Sequence, residues 1–133
     1  MAETKLKSQA LDTTIVTTTG TQTLTNKDLT QSSWVTPSLQ NSWADYSTTY
    51  NTIQYMKDSM GFVHLKGLCK SGTLPGTIFT LPVGFRPTRR QLFISMSNST
   101  YGRCDVAADG QVIANNGNNA WFTIDGMTFL AEQ

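Results

Sequence analysis

The sequence predicts an all-β chain, an antiparallel sandwich or barrel preceded by an extended N-terminal segment. Three observations carry that reading. From Trp34 onward, short β-rich apolar runs are separated by Gly, Pro, Asn and Asp turn residues. No stretch places apolar residues at i, i+3, i+4 and i+7 over three turns, as an amphipathic helix requires. Ten of the first 30 residues are Thr, a β-branched residue that favours extended backbone. At 133 residues the chain fits one domain.

The elements follow in order. Thr13–Leu29 has only Ile15, Val16, Leu24 and Leu29 to bury, too few for a core of its own. It is either a flexible tail or a shaft that orders beside identical copies of itself. Ile53–Lys57 runs into Asp58-Ser59-Met60-Gly61, a four-residue hairpin turn. Phe62–Lys70 alternates, with Val63, Leu65, Gly67 and Cys69 on one face and Phe62, His64, Lys66, Leu68 and Lys70 on the other. Thr77–Leu81 and Leu92–Met96 are continuous β-rich runs, which predicts strands buried on both faces. Between them Pro82, Gly84 and Pro87 force a bent connector, with Gly84 in a conformation that a Cβ opposes. Arg103–Ala108 and Gln111–Ala114 flank Asp109-Gly110, the strongest short hairpin signal in the chain. Trp121–Ile124 and Gly126–Leu130 close the pattern around Asp125-Gly126.

Charge and motifs narrow the function. Ten Lys and Arg face nine Asp and Glu, a net charge of +1, which argues against nucleic acid or an acidic membrane as partner. No apolar run approaches the ~18 residues of a membrane span. Two cysteines, Cys69 and Cys104, are too few for a disulfide scaffold. No metal-ligand spacing, nucleophile elbow or phosphate loop is present, so no catalytic residue, metal or cofactor is assigned. His64 reads as a solvated or packed strand histidine. Asp58, Asp109 and Asp125 read as turn residues that bond local backbone; pairing of Asp105 with Asp109 stays open. Arg86, Arg89 and Arg90 read as a solvated connector rim. The suggestive chemistry lies in two polar loops, Asn98–Tyr101 and Asn115–Asn119, with Trp121 just behind the second. Amides that donate and accept beside aromatic faces suit sugar hydroxyls and the apolar faces of sugar rings. The candidate saccharide-binding residues are therefore Asn98, Tyr101, Asn116, Asn118 and Trp121. Asn98 and Tyr101 feed one strand of the Asp109-Gly110 hairpin while Asn116 and Asn118 leave the other, so the two loops converge opposite that turn.

These residues reach a resemblance. Thr21–Thr30 (TQTLTNKDLT) resembles a segment common in bacteriophage tail-fibre proteins. From Ile53 the blocks IQYMKDSMGFVHLKG, GTIFTLPVGFRP, VAADGQV and IDGMTFLAE are similar, in order and spacing, to the C-terminal head domain of phage tail-fibre and minor structural proteins. Gly61, Val63, Leu65 and Gly67 match its G-x-V-x-L-x-G strand; Leu81, Pro82, Gly84, Phe85, Arg86 and Pro87 match its connector. The resemblance implies a jelly-roll-like β-sandwich head over residues 34–133, behind an extended attachment segment over residues 1–33. It further implies a homotrimer in the virion, assembled in the bacterial host cytoplasm with other tail or capsid proteins. Such heads contact host cell-surface polysaccharide, and no catalytic residue carries over. Two function classes follow: a receptor-binding head, or a capsid decoration or head fibre without ligand.

Overall fold

The computed structural model describes residues 31–132, so the Thr-rich segment and its expected assembly lie outside the described residues. Within them the chain forms ten strands and no helix: β1 (Ala44–Asp45), β2 (Gln54–Lys57), β3 (Phe62–Lys66), β4 (Leu68–Lys70), β5 (Gly76–Thr80), β6 (Gln91–Ser97), β7 (Thr100–Val106), β8 (Gln111–Asn116), β9 (Phe122–Thr123) and β10 (Thr128–Leu130). All pairings are antiparallel, in three sheets ordered β1-β4-β9, β10-β3-β2 and β5-β8-β7-β6. The all-β expectation therefore holds.

The turns form where short-range chemistry demands them. Asp58 O accepts the Gly61 N–H and Ala107 O accepts the Gly110 N–H, closing the β2–β3 and β7–β8 hairpins. The Asp125-Gly126 turn closes less tightly, with Met127 N–H donating to Ile124 O at 3.3 Å. In the connector, Phe85 N–H donates to Pro82 O, and Gly84 takes φ +95° at the third turn position, which favours glycine. Arg86 Nε donates to Leu81 O at 2.8 Å and ties the connector's two ends together.

Two strand expectations need correcting. Phe62–Lys70 is not one strand: Gly67, at φ +129°, breaks it, sending β3 and β4 into different sheets. A Cβ there would stand 2.6 Å from the backbone of Thr52 and Ile53, so alternation restarts out of phase and Leu68 is buried beside Cys69. Leu92–Met96 is not buried on both faces, because no element among the described residues covers the outer face of β6, where Leu92, Ile94 and Met96 are exposed. Thr77–Leu81 does bury consecutive residues, Ile78 and Phe79, through a bulge between Thr77 and Phe79.

The core lies between the four-stranded sheet and the two smaller ones. Tyr55 of β2 stacks on Phe79 of β5, with ring centroids 6.0 Å apart. Phe129 of β10 meets Phe93 of β6, and Trp43 meets Phe122 of β9. Cys69 and Cys104 are free and buried; burial pushes the Cys69 thiol up to about 12 and raises that of Cys104 as well.

Candidate functional site

The structure brings the two polar loops together around Ser97. Asn98 and Ser99, at φ 43° and 67°, form the two-residue turn between β6 and β7. Ser97 Oγ accepts the Asn118 N–H at 2.8 Å, which fastens the second loop beside that turn. The amide oxygens there are committed to backbone: Asn116 Oδ1 accepts the Arg103 N–H and Asn118 Oδ1 the Ala120 N–H, each at 2.8 Å. Among the described residues neither Nδ2 makes a hydrogen bond. Tyr101 stands on the outer face of the sheet, opposite Met96.

Trp121 faces a different space. With Tyr46, Tyr50, Leu68 and Asp125 it lines a cavity of about 280 Å³; none of the other four candidates lines it. Tyr46 and Tyr50 meet edge to face at 5.5 Å, and Lys70 Nζ lies 5.4 Å from the Tyr46 ring. Three aromatic side chains about one hollow can take the apolar face of a sugar ring.

Asp125 also borders a larger open groove of about 540 Å³, so the two spaces adjoin. Trp34, Asp58, His64, Lys66 and Thr128 contribute to its walls. Lys66 Nζ sits 4.0 Å from the Trp34 ring centroid, a cation–π contact. His64 Nε2 lies 2.7 Å from Asp58 Oδ2 and Nδ1 lies 3.1 Å from Thr128 Oγ1. An ionised carboxylate only accepts, so His64 Nε2 donates to Asp58. The His64 hydrogen bond, joined by the N–H groups of Phe62 and Met60, holds the Asp58 carboxyl below its ordinary value. Trp34 escaped the sequence-level site because Lys66 is remote from it in the chain, and the contact of His64 with Thr128 was hidden for the same reason, although Asp58 lies only six residues from His64. The other carboxylates weighed from the sequence are occupied: Asp105 by Arg90 and Arg103, Asp109 by the N–H and Nε2 of Gln111, Asp125 by the Gly67 N–H.

Ten antiparallel strands in this arrangement make the all-β fold of a phage receptor-binding protein. One solved structure similar to it is the receptor-binding protein (gp15) of Listeria phage PSA, with a TM-score of 0.67 and 14% identity over 99% of this chain and 74% of that one. No protein-family description and no curated protein matches the sequence.

Proposed function

We propose that this chain is a bacteriophage virion protein whose head attaches the particle to its host, as a homotrimer that binds cell-surface saccharide without cleaving it. The observation that carries the reading is the fold shared with a phage receptor-binding protein across 99% of the chain. Residues 34–133 form the head, and residues 1–33 join it to other virion proteins. The Tyr46–Tyr50–Trp121 hollow supplies the ring platform, and the patch of Asn98, Asn116 and Asn118 adds polar contacts. Such sites are individually weak, and three copies on one spike recover adsorption through multivalency.

The test is binding of the intact protein to host cells and to purified wall polysaccharide. Trp121→Ala lowers binding at least tenfold while the melting temperature stays within a few degrees. Asn116→Ala with Asn118→Ala lowers it less and loosens the loop, because both amides hold backbone. Unchanged binding by all variants moves the site elsewhere. A parent protein that binds no host saccharide overturns the reading in favour of a capsid decoration.

A further inference from the structure

Strand β6 is built inside out. It is the last strand of its sheet, and among the described residues its backbone bonds only to β7. Its inward positions are Phe93, Ser95 and Ser97, and both serines are buried. Ser95 Oγ donates to Thr123 O at 2.6 Å, and Ser97 Oγ accepts the Asn118 N–H. The outward positions are Leu92, Ile94 and Met96, which are 60%, 82% and 47% exposed. Tyr101, opposite Met96 on β7, is 78% exposed.

A slip of one residue would put this apolar column in the core. Specific hydrogen bonds to the two serines prevent it, so the outward column is fixed by the fold rather than left over from it. A run of this kind suits a strand covered on both faces. Beside the column, Asp105 faces outward opposite Leu92 yet is fully buried, because Arg90 Nη1 and Arg103 Nε lie across its carboxylate at 2.9 Å each. The two guanidinium groups held in place and Tyr101 are of the kinds enriched where protein–protein contacts carry most of their energy.

The shape of the patch selects the partner. From Leu92 to Met96 it is one strand wide and about 14 Å long, a few hundred Å² at most. A stable two-body contact needs about 800 Å² from each side. A narrow stripe on a rotation axis meets its equivalents on two sides at once, so the same side chains are buried against two neighbours and the assembly closes. In that arrangement the uncharged column lies at the axis, with Arg103 beside Ile94 on the neighbouring strand.

We propose that the outer face of β6, Leu92, Ile94 and Met96 with Tyr101, is the surface on which copies of this chain meet about a three-fold axis. The inference rests on the homotrimeric part of the proposed function and assigns it a surface. Tyr101 then belongs to the interface, and Trp121 remains the ring platform.

Sedimentation of the full chain at micromolar concentration tests it. The parent sediments with three times the mass of one chain, and Ile94→Glu falls to the mass of one chain with unchanged far-UV circular dichroism. Ile94→Cys, whose thiol is exposed while Cys69 and Cys104 are buried, links copies covalently under mild oxidation. A monomeric parent, an Ile94→Glu protein that keeps the trimer mass, or an Ile94→Cys protein that forms no link overturns the proposal. Saccharide binding is read separately: a parent protein of trimer mass that binds no host saccharide counts against the receptor reading and leaves this surface standing.

Discussion

Strands β3 and β6 alternate equally well and in opposite senses. β3 buries Val63 and Leu65 and turns His64 and Lys66 toward the groove, whereas β6 buries Ser95 and Ser97 and turns Leu92, Ile94 and Met96 outward. β3 is the central strand of its sheet, paired on both edges, and β6 has one free edge. Alternation thus identifies a strand without saying which face is the core. In β6 the apolar side faces out, uncovered among the described residues.

The contrast breaks first, if it breaks, under truncation. Leu65→Ala removes most of a fully packed side chain and lowers stability by about 3 kcal/mol. Ile94→Ala, measured at concentrations where the chain is monomeric, changes it by less than about 0.5 kcal/mol. Denaturant titrations giving the two variants similar losses would mean that β6 does not stand bare.

A smaller effect sharpens the same point from the inner side of β6. Ser97→Ala leaves the Asn118 N–H without its acceptor and lowers stability by about 1–2 kcal/mol. Hydrogen exchange at the Asn118 amide then rises well above that of the parent. An unchanged rate would show that the loop is held by other contacts, and that the inward serine does not set the strand's register.

What the sequence made legible was local. The turns at Asp58–Gly61, Asp109-Gly110 and Asp125-Gly126 are written in adjacent residues, whose side chains and φ preferences act over four positions. The break at Gly67 was hidden, because alternation of apolar residues runs straight through it and only the approach of Thr52 and Ile53 demands a bare Cα. The bare face of β6 was hidden for a related reason: Leu92–Met96 reads the same whether its second cover is the chain's own core or another molecule. The convergence of the Asn98 and Asn116–Asn118 loops was legible from hairpin geometry, and their joining through Ser97 agrees with it. That Asn116 and Asn118 use their oxygens on backbone N–H groups was not. Such caps depend on where the chain turns after β8. The groove was out of reach because Trp34, Asp58, Lys66 and Thr128 meet only through the pairing of β2, β3 and β10.

The smallest effect belongs to the outer face of β3, where His64 bonds Asp58 of the preceding turn and Thr128 of β10. The folded chain holds the Asp58 carboxyl below its ordinary value of 3.8, chiefly through the His64 hydrogen bond. On acidification the unfolded chain therefore takes up this proton first. The stabilisation is complete above the ordinary carboxylate value and is lost as the pH falls through the lower native one. Asp58→Asn cannot titrate, so the melting temperature of the parent falls more steeply than that of the variant between about pH 5 and about pH 2. Asp109, also held low, by Gln111, is present in both proteins and contributes equally to each. Parallel acid limbs would show that the Asp58–His64–Thr128 chain contributes nothing to the fold, leaving those side chains to serve the groove alone.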